Sequence, residues 1–292
     1  YHAPGKSSFA FIFSLGGENR IVRAVNEGLG SLFSDGVLWY TREIDFIRRT
    51  RPLALFSPFI TSHDKNRSAT QLHSLEQRKM SAALLLLSPG APFVYYGEEI
   101  GLWGEKPQNE SNDDRVVRGP MIFDMDFPSP GRPNPFLWYW KQSDWDNGQG
   151  LPTLVGNKQD GVREQMLDED SLLRYFIRIQ NIKKRYPWIA WGRVDDSGIS
   201  RISGDGRNPG NIAVYRVTDN KPGSSTFGRS VVIAHNTSRG NNHEAVRLPR
   251  ARGNYAISAL GNAQFPFVIE GDDNIFWLKP YTTAIFEEFD RD

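Results

Sequence analysis

Two apolar runs about thirty residues apart, each breaking abruptly into ionisable residues, constrain this chain more than any other feature. The first is Leu53 to Arg67, LALFSPFITSHDKNR, whose apolar stretch ends in a polar cluster centred on His63 and Asp64. The second is Pro92 to Gly101, PFVYYGEEIG, a short hydrophobic run followed by two acids and a glycine. Buried strands that deliver charge at one end, spaced by a helix, are the pattern of a parallel sheet with its working edge at the strand ends.

The surrounding sequence extends that pattern. Phe9, Phe11 and Phe13 fall at strand period, and Ile21 to Asn26 reads as a short helix. Leu53 to Ile60 is a strand. Gln71 to Leu87 carries Leu72, Leu75, Ala83, Leu84 and Leu87 at helical spacing, and Ser88-Pro89-Gly90 stops it. Phe93 to Tyr96 is the third strand. Asp170-Ser171 then caps a helix with Leu172, Phe176, Ile179 and Tyr186 on one face. Residues 1–190 thus predict a thrice-repeated strand–helix unit. After Trp191 helical periodicity gives way to short β-rich runs: Ile212 to Val217, Ser230 to His235, Tyr255 to Ser258, Asn274 to Leu278 and Thr282 to Phe286. They predict a separate antiparallel β-sandwich over residues 191–292.

Composition narrows the partner. Across 292 residues, 35 basic and 34 acidic side chains nearly cancel, so no whole-protein field favours nucleic acid or an anionic membrane surface. The absence of cysteine excludes disulfides, thiolate metal sites and a cysteine nucleophile, and leaves the cellular location open. Met80 to Leu87, the longest strongly apolar stretch, falls far short of the roughly 20 residues that span a bilayer, so no membrane anchor is expected. The start at Tyr1-His2-Ala3-Pro4, without methionine, reads as that of an excised piece of something longer.

On residue chemistry alone the functional signals stay open. Asp64 stands near Lys65 and Arg67, so it reads equally as a salt-bridge partner, a helix cap or a site carboxylate. Arg67 and Arg118 are forks suited to carboxylates or sugar hydroxyls, and equally to ion pairs within the fold. The long segment from Trp103 to Asp170 holds Trp138, Tyr139, Trp140 and Trp145, which could stack on sugar faces or pack the segment down. Asn66-Arg67-Ser68, Asn109-Glu110-Ser111 and Asn236-Thr237-Ser238 match the glycosylation pattern, the first inside the proposed site, which argues for chance. Phosphate-binding glycine loops, histidine metal pairs and serine-elbow motifs are absent from the sequence.

PFITSHDKNRS resembles the fourth conserved region of the alpha-amylase family, glycoside hydrolase family thirteen, with Ser62 where the family usually has asparagine before the His-Asp pair. APFVYYGEEIGL resembles the family's strand-eight segment, and RGPMIFD at Arg118 to Asp124 its Arg-Pro-Met-Trp-Asp stretch, with Phe123 in the tryptophan position. LDEDSLLRYFIRIQNIKKRYPWIAWG resembles the last barrel helix and its exit, and PYTTAIFE the closing strand of the C-terminal domain. SSFAFIFSLGG is then similar to barrel strand six.

The resemblance implies strands six to eight of a (β/α)8 barrel, whose active site lies at the C-terminal strand ends, followed by the sandwich. It implies a parent that hydrolyses α-glucosidic bonds with retention, acting on alpha-glucan oligosaccharides or polysaccharides. Asp64 matches the family's third carboxylate, which grips the hydroxyls of the sugar under attack, and His63 binds the same region. Arg67 and Arg118 are substrate-binding candidates, and Glu98 and Glu99 hold the strand-eight loop. Retaining glycosidases need a nucleophile and an acid/base about 5 Å apart. In the family these come from strands four and five, which match nothing in this sequence, so the chain alone is expected to be inactive. Glu18 follows Gly17 at the end of an apolar run, as the family's acid/base does, but its surroundings and its distance to His63 fit strand six better. No cofactor is expected in this chain, the family's calcium site lying in regions that precede it. A non-catalytic carbohydrate-binding or scaffold member of the fold is the alternative of another class, and a transglycosylase the alternative within enzymes. A three-strand remnant with open edges is expected to pair into a homodimer or to be covered by other elements.

Overall fold

The computed structural model describes residues 11–13, 20–52, 54–106, 114, 117–119, 121–123, 161–203, 209–240, 243–248, 254–260 and 274–289. Phe9, Glu18, His2, the Trp138–Trp145 aromatic group and the Asn109 motif lie outside them. The chain forms two compact units: Tyr1–Phe59, Met80–Phe93 and Ile179–Asp292 in the first, Ile60–Lys79 and Val94–Arg178 in the second.

In the first unit, β1 (Phe11–Phe13) pairs in parallel with β2 (Leu55–Ser57), Phe11 opposite Leu55 and Phe13 opposite Ser57. Between them run α1 (Arg20–Glu27) and a helix the periodicity did not reveal, α2 (Gly30–Arg48). Its buried Phe33, Val37, Thr41 and Ile44 do recur at helical spacing, but three nearby glycines obscure the signal. One of them is required by packing. A Cβ on Gly30 would lie 2.4 Å from the Asn211 carbonyl oxygen and 2.5 Å from the Ala213 nitrogen, so α2 starts against bare backbone.

Phe93 to Tyr96 does not form the third strand. Residues 91–95 are extended, and the Ala91 and Phe93 amides donate to the carbonyls of Phe56 and Pro58 at 2.7 and 2.8 Å. A parallel ladder would return a bond to Ala91 from the residue at position 58, which is proline and has no N–H. Gly90, at φ +98°, leads into this segment, and a Cβ there would sit 1.9 Å from the Phe56 carbonyl oxygen.

Ten strands are described, and those after Trp191 form two antiparallel sheets. The five-stranded sheet runs β3 (Arg193–Asp195), β5 (Ile212–Thr218), β6 (Ser230–Asn236), β10 (Thr282–Phe289), β8 (Asn254–Leu260). The three-stranded sheet runs β4 (Ser200–Ser203), β7 (Glu244–Leu248), β9 (Asn274–Leu278). Ile212, Val214, Val232, Ala234, Val246, Leu248, Phe276, Leu278, Ala284 and Phe286 form their shared core. The opposite side chains of β5 and β6 are buried too, against α2 and the end of the long apolar helix: Phe33 meets the His235 ring edge-on at 6.4 Å, and the Tyr215 hydroxyl donates to the Leu87 carbonyl at 3.1 Å. Two covered faces explain why IAVYRVT and SVVIAHN read as continuous apolar runs without alternation.

The helix expected over Gln71 to Leu87 is divided into α3 (Ser68–Gln71) and α4 (Leu75–Leu86). The divider is a capping box: the Ser74 hydroxyl accepts from the Gln77 amide at 3.2 Å, and the Gln77 side chain accepts from the Ser74 amide at 3.0 Å. After α5 (Val162–Leu167), Ser171 caps α6 (Leu172–Arg185) as expected, its hydroxyl accepting the Arg174 amide at 3.1 Å. Among the described residues no helix is long and apolar enough to cross a membrane.

Gly90→Ala is expected to cost about 3 kcal/mol or more, from a forbidden φ and a backbone clash together, measured by urea denaturation. His235 is fully buried, which pushes its ring down to about 3 from the ordinary 6.5. A depressed folded value leaves its stability contribution complete above pH 6.5 and removes it as the pH falls toward 3. Denaturation midpoints should therefore decline on acidification through this range, and His235→Gln should flatten the decline.

Candidate functional site

The chain leaves β2 through Pro58 and Phe59 and turns at Ser62. The Lys65 amide donates to the Ser62 carbonyl at 3.2 Å, and the Asp64 amide to the Ser62 hydroxyl at 3.3 Å. Ser62, the departure from the family's asparagine, thus serves as the acceptor inside the turn. The turn projects both candidate residues outward, with the His63 and Asp64 side chains 61% and 59% exposed and His63 Nε2 3.2 Å from Asp64 Oδ1.

Arg118 joins them. Its Nε donates to the His63 carbonyl at 3.1 Å and its Nη2 to Asp64 Oδ1 at 3.2 Å. The same Nη2 bonds Asp114, which also pairs with Lys106. The bond from Lys106, with smaller help from Arg118, holds the Asp114 carboxyl below its usual range. Lys106 and Asp114 were not anticipated from sequence, since neither belongs to a recognisable motif. The result is a charge-balanced polar surface in which Asp64 keeps Oδ2 for other partners, the only bonds to its carboxylate among the described residues being those to Oδ1.

Arg67 is elsewhere. Expected to face a substrate, it has no exposed surface. Its guanidinium carbon lies 4.1 Å from the Tyr95 ring centroid and 4.6 Å from that of Tyr96. Nε donates to the Val117 carbonyl at 2.8 Å, Nη1 bonds the Tyr96 carbonyl, and the Arg67 amide donates to the Gly104 carbonyl at 2.9 Å. Burial pulls its guanidinium below the ordinary value, and Tyr95, Tyr96 and Glu98 oppose that. In this position Arg67 ties segments 94–97, 104 and 117 together and presents no surface to solvent.

Glu98 opens a one-turn 3-10 helix, Glu98–Ile100, set between Gly97 and Gly101, both with positive φ. Its buried carboxyl accepts the Thr61 hydroxyl at 2.5 Å and the Tyr95 amide at 3.3 Å, in keeping with the expected role of holding this loop. Burial raises the carboxyl to about 7, against the lowering effects of the Thr61 and Tyr95 bonds and of Arg67. Among the described residues no three His, Asp or Glu side chains converge to hold a metal ion.

The alpha-amylase catalytic-domain model matches residues 40–192, just over half of the chain, and includes the whole turn and its supports. The chain is 26% identical over 225 residues to the alpha-amylase SusG of Bacteroides thetaiotaomicron, covering 75% of this chain and 28% of that protein. It is 26% identical over 186 residues to the 4-alpha-glucanotransferase of Thermotoga neapolitana, covering 62% of this chain and 35% of that one. Among solved structures, an alpha-amylase from H. orenii superposes with a TM-score of 0.64 at 22% identity, over 96% of this chain and 49% of that chain. The chain therefore spans about a third or less of these two curated relatives and half of this solved structure, and shares its fold with that half. With the His63–Asp64 turn, the Tyr95–Glu98 loop and the last long helix all inside the matched span, the chain belongs to the alpha-amylase family.

Proposed function

We propose that this chain is the C-terminal part of a retaining glycoside hydrolase acting on α-glucosidic bonds of alpha-glucans, and that Asp64 is its substrate-gripping third carboxylate. In this reading β1, β2 and the extended segment 91–95 are strands six to eight of a (β/α)8 barrel, and β3 to β10 form the C-terminal β-sandwich. The observation that carries it is the exposed turn in which His63 and Arg118 both lie on Oδ1 of Asp64, inside the span matched by the family model.

The chemistry follows from that geometry. A carboxylate with a free oxygen can accept two hydroxyls of one sugar ring. Such bonds strengthen as the ring flattens and gains positive charge toward the oxocarbenium-like transition state, so they lower the barrier more than they tighten ground-state binding. His63 is placed to donate to the same ring, and Arg118 fixes Asp64 by its charge and the turn by its bond to the His63 carbonyl. In this reading the two bond-breaking carboxylates lie outside these 292 residues. The chain alone is therefore assigned no turnover, and the barrel's remaining edges are assigned to covering elements or to a second copy.

A transglycosylase is the second reading, favoured by relatives named 4-alpha-glucanotransferase and trehalose synthase. It uses the same third carboxylate and differs only in what attacks the second step. A scaffold member that has lost the chemistry has no need of an exposed Asp64 whose Oδ2 is unbonded among the described residues.

In a longer protein that carries the family's nucleophile and acid/base, Asp64→Asn should lower kcat by about 100-fold or more, the loss of one or two charge-assisted bonds. KM should move far less, and an unchanged kcat would sink the assignment. The 292-residue chain itself should release no reducing ends from maltooligosaccharides. Hydrolysis by it that Asp64→Ala abolishes would mean that the bond-breaking residues are in this chain after all. Product analysis with maltotriose separates hydrolase from transglycosylase.

A further inference from the structure

Two chains of contact run from the exposed turn into the protein, and both meet at Glu98. The direct one is Thr61, two residues before His63, whose buried hydroxyl donates to Glu98 Oε1 at 2.5 Å. The indirect one runs through Arg67, whose charge acts on Glu98, whose Nε holds the Val117 carbonyl, and whose Nη2 is buried without a hydrogen-bond partner among the described residues. Val117 is followed by Arg118, which grips the His63 carbonyl and the Asp64 carboxylate. Glu98 is thus a buried carboxyl bonded to Thr61 and acted on by the charge of Arg67.

We propose that Glu98 is a positioning residue for the His63–Asp64 pair, and that gain or loss of its proton changes how the turn presents Asp64. This rests on the reading of Asp64 as a substrate-gripping carboxylate for its functional meaning, but not for its physical test. Ionised, Glu98 is drawn to Arg67 and offers both oxygens as acceptors, to Thr61 and to the Tyr95 amide. Protonated, it loses the attraction to Arg67 and must spend one oxygen as a donor, so that either Thr61 or the Tyr95 amide has a weaker acceptor. The groups facing it set the balance. Arg67 favours the ionised form, and Glu99 opposes it. The Tyr95 phenol, pushed up to about 12 by burial, donates to the Val117 carbonyl at 3.3 Å and packs on Arg67, and the Tyr96 hydroxyl donates to the Gly119 carbonyl at 2.8 Å while its ring packs on Arg67. Across the turn stand His63, Asp64, Arg118, Asp114 and Lys106, charge-balanced among themselves. Burial brings the Glu98 carboxyl to about 7, so the change falls where an enzyme works.

The test follows the 292-residue chain by NMR from about pH 5 to about pH 9, reading the Glu98 carboxyl carbon, the Asp64 and Lys65 amides and the Arg118 Nε–H. It is done in a His63→Gln background, so that the imidazole's own titration is absent. The turn signals should move with the same midpoint as the Glu98 carbon. Glu98→Gln should abolish that movement. Thr61→Val should uncouple the Asp64 amide while Glu98 still titrates, and Thr61→Ser should restore the coupling. A Glu98 carbon that titrates while the turn signals stay fixed would overturn the proposal, as would turn signals that titrate unchanged in Glu98→Gln. If Glu98→Gln does not fold, the Thr61 pair decides on the same criteria. Maltoheptaose binding by the chain with His63 intact is measured in parallel. Coupling supports the positioning role whether or not maltoheptaose binds, and binding without coupling overturns the positioning role while supporting the glucan reading.

Discussion

Taking a guanidinium wholly out of water costs several kcal/mol unless its donors and its charge are met, and the second unit is arranged around meeting that cost at Arg67. Two tyrosine faces lie at 4.1 and 4.6 Å, two backbone carbonyls accept from Nε and Nη1, and Glu98 supplies opposite charge nearby. The partners come from two separate stretches of chain, so satisfying one side chain gathers segments 95–98 and 117 around it. The exposed pair has no comparable anchor of its own. Its position is set by what Arg67 collects and by Arg118, whose place follows from that of Val117.

The first unit meets the same constraint inside a sheet. Arg216 on β5 has no exposed surface, and its fork meets Glu288 with bonds of 2.9 and 3.0 Å while Nη1 reaches Asp195 at 3.0 Å and the Ser197 carbonyl at 2.8 Å. The paired carboxylates keep the guanidinium charged despite its burial. This network spans β3, β5 and β10 and fixes their order by geometry that only a bidentate cation can supply. Removing one partner would leave a buried charge uncompensated, a larger loss than the pair's own net contribution.

Local signals carried much of this into the sequence. The strands after Trp191 were legible because β-branched and aromatic runs were punctuated by Gly, Asn, Asp and Pro, and Ser171 was legible as a cap. His63 and Asp64 were legible because an apolar run cannot carry ionisable residues past its buried end. What failed depends on distant partners. Arg67 follows three exposed ionisable residues and looks like another surface fork, and Tyr95 and Tyr96 some thirty residues on make it internal. Phe93 to Tyr96 has strand composition, but the missing N–H belongs to Pro58 in the neighbouring segment. α2 was hidden by glycines whose reason, at Gly30, is the backbone of residues 211–213. The Ser74–Gln77 capping box was a local signal present in the sequence, outweighed by the apolar periodicity on either side.

The exposure of Asp64 bears on what this chain can do by itself. Two unit charges 4 Å apart interact by about 1 kcal/mol in water and several times more once water is excluded. A carboxylate whose side chain is 59% exposed therefore stabilises an oxocarbenium-like sugar only weakly, whatever its geometry. Its grip becomes effective when a covering surface removes that water, and a barrel supplies such a surface from the loops of its other strands. The proposed third carboxylate and the two bond-breaking carboxylates are thus coupled by dryness as well as by distance. Restoring the nucleophile and acid/base without the surrounding loops would leave Asp64 in a high-dielectric setting, and most of the rate would still be missing.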